Sequence, residues 1–277
     1  MIIMKSIILN IVLLLSYSGV ICSQNYNMPE SAVYDPSQKR YFISNFGSGC
    51  LMQIDSCGTI TTFKSDLSKP LGMVLCGDIL YVVENPNKIS GFNITTGRQT
   101  KQVIIDSALF LNDITSDSNG DLYVTDSRRK SIYKIEPGSM TCYLFTHTIF
   151  SDPNGIAYDK INNRLIVCFF CENAPVQAVN LKDSSVTTMV SPSLHNLDGI
   201  AIDSDGNAYI SCWGKGSFAK GFPSKGMIYK FNPSFTNPPE IIELEHFGPA
   251  DIFFNPKNNL LVIPYLLDNI VEFRKIR

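Results

Sequence analysis

The chain reads as an all-β protein, a six-bladed β-propeller with four-stranded blades around a central metal-binding channel, and three observations lead there. A tripeptide frame recurs six times, as Pro29-Glu30-Ser31, Pro70-Leu71-Gly72, Leu111-Asn112-Asp113, Pro153-Asn154-Gly155, Leu197-Asp198-Gly199 and Pro249-Ala250-Asp251. Its middle positions lie 41, 41, 42, 44 and 52 residues apart, which in a repeat built from strands is the period of a propeller blade. The text after the frame also repeats: Gly155-Ile156-Ala157-Tyr158-Asp159 and Gly199-Ile200-Ala201-Ile202-Asp203 differ at one position.

Ahead of the first frame, residues 1–22 carry Lys5, the apolar run Ile7 to Leu15 and a small-residue stretch. That order is the grammar of a secretory signal peptide. With cleavage near Cys22, residues 23–277 form one propeller domain that is exported: secreted or extracellular, or periplasmic in a bacterium. No stretch reaches the roughly 20 apolar residues that a membrane span requires.

Within each unit the frame opens the innermost strand, and a turn leads to a second apolar strand. Ser118-Asn119-Gly120-Asp121 is such a turn, of the Asn-Gly kind that closes hairpins. In this register Leu165-Ile166-Val167-Cys168 answers Tyr209-Ile210-Ser211-Cys212, which makes Cys168 and Cys212 equivalent. Two further runs, such as Ser131 to Ile135 and Thr141 to Phe145, complete a four-stranded meander. The sixth unit ends after its third run, Asn269 to Arg274, so its outer strand is expected from Ser23 to Met28. The fifth unit is lengthened between its second and third strands by residues 214–226, read as a mobile loop with three lysines and two phenylalanines.

Composition narrows the function classes. With 23 basic and 25 acidic residues the chain has no nucleic-acid footprint. Seven cysteines follow Cys22. In an oxidising compartment Cys50 and Cys57 are a candidate local bridge, while Cys168 and Cys212 suit a core. Asn93-Ile94-Thr95 is a glycosylation sequon.

The frame's middle column, Glu30, Leu71, Asn112, Asn154, Asp198 and Ala250, carries the chemistry. Residues at the starts of innermost strands converge on the propeller axis. Two carboxylates and two amide oxygens there suit one hard divalent cation, Ca²⁺ first, with Mg²⁺, Zn²⁺ or Mn²⁺ also accommodated. Leu71 and Ala250 would leave one side of the site open. Asn and Asp before Gly are also ordinary turn formers, which accounts for Asn154 and Asp198 singly but not for Glu30.

The segments Glu30-Ser31-Ala32-Val33-Tyr34, Asn112-Asp113, Asn154-Gly155 and Asp198-Gly199 resemble the corresponding four segments of the senescence marker protein, gluconolactonase and luciferin-regenerating enzyme family. The resemblance implies that Glu30, Asn154 and Asp198 hold the metal and that Asn112 lies beside substrate and metal. Sugar-lactone hydrolases of that family carry an Arg two residues before this Asn, where the present chain has Phe110. The implied substrate is therefore a small-molecule ester or lactone less polar than an aldonolactone, contacted by Phe110 and Asn112. Arg128 and Arg129 could compensate for the missing arginine or could belong to a solvated turn. Asp198 is the candidate catalytic base, and His195 on the same loop is a candidate proton carrier. The alternative is a non-enzymatic propeller that binds a protein or glycan partner through its loops.

Overall fold

The computed structural model describes residues 20–22 and 26–276. Its strands form six four-stranded antiparallel sheets, each a meander of consecutive strands except the last. The first blade runs Pro29–Asp35, Arg40–Asn45, Cys50–Ile54 and Ile60–Lys64, and the next four repeat this order. No helix of the described residues is long and apolar enough to cross a membrane.

Burial falls from the axis outward. Leu122–Asp126, a second strand, is buried at every position, whereas Gln99–Ile104, a fourth strand, alternates exposed and half-buried residues. The apolar inner strands pack blade against blade: one cluster joins Leu165, Ile166 and Val167 to Ile200 and Ile210 of the following blade.

The turns after the inner strands rest on one aspartate device. Asp117 accepts hydrogen bonds from the backbone N–H of Asn119 and Asp121, and Asp203 does the same for Asp205 and Asn207. These side-chain turns are completed by Gly120 and Gly206 at φ 88° and 85°, a region that favours glycine.

The expected equivalence of Cys168 and Cys212 is one residue out. Ile156 pairs Val167, whereas Ile200 pairs Ile210, because the fifth blade's first hairpin is shorter by one residue. Cys168 is therefore equivalent to Ser211, and Cys212 to Phe169. Both thiols are buried, as expected for a core. The Cys50–Cys57 bridge is not formed: Cys50 opens the third strand, Cys57 lies in the turn beyond it, and both are free thiols.

Ring closure also differs from the expectation. The strand that completes the sixth blade is Val20–Cys22, paired antiparallel with Val271 to Phe273, and not the polar segment from Ser23 to Met28. Three consecutive apolar residues, two of them β-branched, make a better outer strand. Residues 23–25 of the expected segment, and residues 1–19 of the leader, lie outside the described residues. Met28 instead ties the first blade to the sixth, its backbone N–H donating to Asn269 Oδ1 at 2.6 Å. The sequon residue Asn93 is engaged in a turn, its Nδ2 donating to Asp78 and its Oδ1 accepting from the Thr96 backbone N–H.

Candidate metal centre and channel cavity

Five inner strands share one irregularity. Their pairing with the second strand shifts register between the frame's first residue and the residue three further on, as between Pro29 and Ala32 or Leu197 and Ile200. A bulge at that point re-aims side chains. The frame's middle residue lines a cavity on one face of the ring, and the following residue serves the other face.

The bulge leaves backbone groups for side chains to satisfy. In three blades a second-strand hydroxyl accepts the bulge N–H: Ser44 from Ser31, Thr125 from Asp113 and Ser211 from Gly199. Thr125 and Ser211 also donate to the carbonyls of Asn154 and Ala250 on the next blade, at 2.7 and 2.8 Å, and the Cys168 thiol reaches the Asp198 carbonyl at 3.1 Å. Asn154, Asp198 and Ala250 are thereby each fixed by the neighbouring blade. Gly199 is required here, since a Cβ would overlap the backbone of Asp251.

The cavity above the column has a volume of about 490 Å³. Glu30, Leu71, Asn112, Asn154 and Asp198 all reach it, and Ala250 is buried beside it. The structure thus brings together every residue assigned to the metal, with Asn112 and Phe110. Leu71 and Ala250 flank Glu30 on blades two and six, so they do not open one continuous side.

Three oxygens of this floor, Glu30 Oε2, Asn112 Oδ1 and Asp198 Oδ1, are buried with no hydrogen-bond partner among the described residues. Asn112 is oriented by its amide nitrogen, which donates to Ser127 Oγ at 3.4 Å and leaves Oδ1 free. The Trp213 indole N–H stands near Asp198 and favours its ionised form, but it makes no hydrogen bond of acceptable geometry.

Beneath the column, Asp113 and Asp251 line a second cavity of about 210 Å³ that opens on the other face. Asp113 accepts from the backbone N–H groups of Ile114 and Ile156 at 2.7 and 2.8 Å, and Asp251 accepts from Ser31 Oγ at 2.6 Å.

Four buried carboxylates thus share the axis, and among the described residues no buried cation pairs with them. Burial, followed by the fields of Asp198, Asp251 and Asp113, raises the Glu30 carboxyl well above the usual range. Burial and the Asp113 charge push Asp198 up to about 8. Burial pushes Asp113 up to about 7 against its two backbone donors, and burial followed by the Asp113 charge raises Asp251 strongly. Such a cluster is stable only protonated or neutralised. Unpartnered oxygens from two carboxylates and an amide, with Asn154 completing the ring, fit a hard divalent cation. Among the described residues no three His, Cys, Asp or Glu side chains gather as a metal-binding group; a cation here depends on amide oxygens.

Above the floor, two further columns form the cavity wall. One is the residue after the second strand, Phe46, Asn85, Ser127, Phe170, Trp213 and Leu266; each donates its backbone N–H to the carbonyl of the residue preceding its blade's frame. The other is that preceding residue, including Met28, Phe110 and Asp152. All except Asn85 of these named residues line the cavity. Trp213, Phe170 and Phe46 lie outside the recurring frame, and the same register, read one strand outward, locates them.

The 214–226 segment is tied down. Asn196 donates to the carbonyls of Gly214 and Gly216, and Phe218 and Phe222 pack on Phe170 and Trp213 with centroids 4.8 to 6.2 Å apart. Phe218 nevertheless remains 70% exposed and reaches the cavity. His195 does not line the cavity; its carbonyl accepts from the Cys212 thiol at 3.0 Å. Arg129 anchors its turn through Ser107, whereas Arg128 lines the cavity and stands 5.4 Å from the Phe110 centroid.

No protein-family model matches the chain, and no curated relative does. Solved structures do match in fold. The chain is similar to a gluconolactonase of Xanthomonas campestris at 14% identity, covering 92% of this chain and 90% of that one, with a TM-score of 0.74. It is also similar to a calcium-binding regucalcin of Agrobacterium tumefaciens, at 13% identity over 91% and 93% of the two chains, with a TM-score of 0.71. A virginiamycin B lyase of Staphylococcus aureus shares 16% identity over 90% of this chain and 80% of that one, with a TM-score of 0.67.

Proposed function

We propose that the protein is an exported, metal-dependent hydrolase of the lactonase or esterase type. The observation that carries this is the channel floor: unpartnered oxygens of Glu30, Asn112 and Asp198 meet at the bottom of an otherwise largely apolar cavity with no buried cation among the described residues to balance them. Fold neighbours described as a gluconolactonase and a calcium-binding regucalcin support it.

Glu30, Asn154 and Asp198 would hold the ion, with Asn112 beside them. A bound divalent cation, calcium first, supplies Lewis-acid polarisation of an ester or lactone carbonyl. The chain's own residues do the rest. Trp213, Phe170 and Phe218 wall off one side of the floor from water. Asn112, held by Ser127, contacts the reacting group, and Phe110 contacts the substrate body. Asp198 would take the proton of the attacking water, a role that requires the cation to hold it only weakly during attack, because a carboxylate bound to a cation is acidified.

Hydrolysis of aryl esters or lactones that stops in chelator and returns with added Ca²⁺ is the expected result; hydrolysis indifferent to chelator sinks the metal-dependent reading. The exposed Phe218 favours one second reading, a protein or glycan partner held at the channel mouth without catalysis. That reading predicts binding that survives Asp198→Ala and is lost on deletion of residues 214–226.

Export belongs to the same proposal, with one adjustment. The closing strand Val20–Cys22 falls inside the segment first assigned to the leader, so processing has to leave it in place. Ser16 and Ser18 supply small residues at the spacing that signal cleavage requires. Cleavage after Ser18 gives Gly19 as the first residue of the exported protein. N-terminal sequencing that finds Ser23 instead would contradict this.

A further inference from the structure

Resting on the hydrolase reading, we propose that the substrate is an aryl ester or lactone bearing a carboxylate, and that Arg128 is the residue that binds this carboxylate. The cavity divides its chemistry by height. The floor is oxygen-lined and the walls are apolar, from Phe46, Leu71, Phe110, Phe170, Trp213 and Phe218. Arg128, on the exposed mouth, is the single basic residue in the lining among the described residues.

Its guanidinium is available. Only its backbone N–H is engaged, by Asp126, and among the described residues its side chain makes no hydrogen bond or ion pair. Arg40, Arg164 and Arg274, by contrast, each pair with a carboxylate. Asp152 lines the same mouth and feels the Arg128 charge without pairing to it. The position of Arg128 near the Phe110 ring gives the planar head a support, so its donors stay at the cavity edge for a two-pronged contact that a lysine would not provide.

Phe110 therefore does more than remove a polar contact. It replaces a polar grip with an aromatic wall and supports a different arginine, Arg128, which follows the second strand of the same blade. A sugar lactone offers hydroxyls to such a wall, where they would lose water without finding partners. An aromatic ring fills it and gains apolar contact, while an attached carboxylate meets the free guanidinium of Arg128.

The sole tryptophan, Trp213, lies in this wall and reports occupancy independently of turnover. Para-nitrobenzoate and its neutral counterpart para-nitrobenzamide are titrated against Trp213 fluorescence, with chelator and with Ca²⁺, in wild type, Arg128→Met and Phe110→Ala. Wild type is expected to prefer the acid by about tenfold or more, Arg128→Met to lose that preference while retaining the amide, and Phe110→Ala to weaken both probes. Equal affinities in wild type, no quenching by either probe, or a preference that survives Arg128→Met overturns the proposal. An Arg128-dependent preference without hydrolysis of any ester removes the hydrolase reading and leaves the carboxylate site; hydrolysis without the preference does the reverse.

Discussion

Asp198→Asn is expected to abolish tight cation binding at the channel floor and to lower ester or lactone hydrolysis by about a thousandfold or more, the scale of losing an electrostatic catalyst together with its base. The substitution keeps shape and one oxygen but removes the charge. Asn196 and Trp213, which frame the position, touch backbone or stand near it without a hydrogen bond to the carboxylate, so the fold does not depend on that charge. The metal-free protein should in fact be more stable than wild type, because Asp198 is the foremost neighbouring charge raising Glu30. Removing one of four buried carboxylates relieves that repulsion. The expected signature is a higher Tm in chelator, no further rise with Ca²⁺, and lost activity. A variant that still gains stability from Ca²⁺ as wild type does would place the ion elsewhere.

The second large effect is on stability against pH. Asp113 and Asp198 have folded pKa values of about 7 and 8, and Glu30 and Asp251 are raised as well, against about 4 for an unfolded carboxylate. The native state therefore holds more protons than the unfolded state between those values, and in that window stability falls as pH rises. These four groups make metal-free protein most stable at and below about pH 4, with a loss on the order of a few kcal/mol by pH 8. Saturating Ca²⁺ reverses the trend, because the ion binds the deprotonated site and displaces its protons. Thermal melts across this range, with and without chelator, check it: the gap between the two curves should widen with pH. A metal-free curve that rises through this window would show that the carboxylates are already ionised and paired.

Much of this was legible in the sequence, and for one reason. The repeat copies a backbone geometry, so a column of equivalent residues converts directly into a ring around the axis. Glu30, Asn112, Asn154 and Asp198 could be placed together without knowing a single distance. What stayed hidden depends on counts and directions that the column does not encode. The one-residue difference between two hairpins moved Cys168 from Cys212 to Ser211. The bulge after Leu111 makes Asn112 and Asp113 useful on opposite faces, so Asp113 does not show in a reading of the column alone, and Asp251 follows Ala250 into the same second cavity. Ring closure by Val20–Cys22 was obscured because an apolar tripeptide at the end of a leader and an outer strand look alike. Arg128 and Arg129 are adjacent in sequence, yet one side chain anchors a turn and the other enters the cavity.

Whether the channel floor is a cation site is tested most directly by the metal content of the purified protein beside its Glu30→Ala/Asp198→Ala variant, before and after chelator. About one divalent ion per chain in wild type and none in the variant, with both folded, is the predicted result. Equal metal content in the two proteins, or none in wild type after dialysis against Ca²⁺, would contradict it.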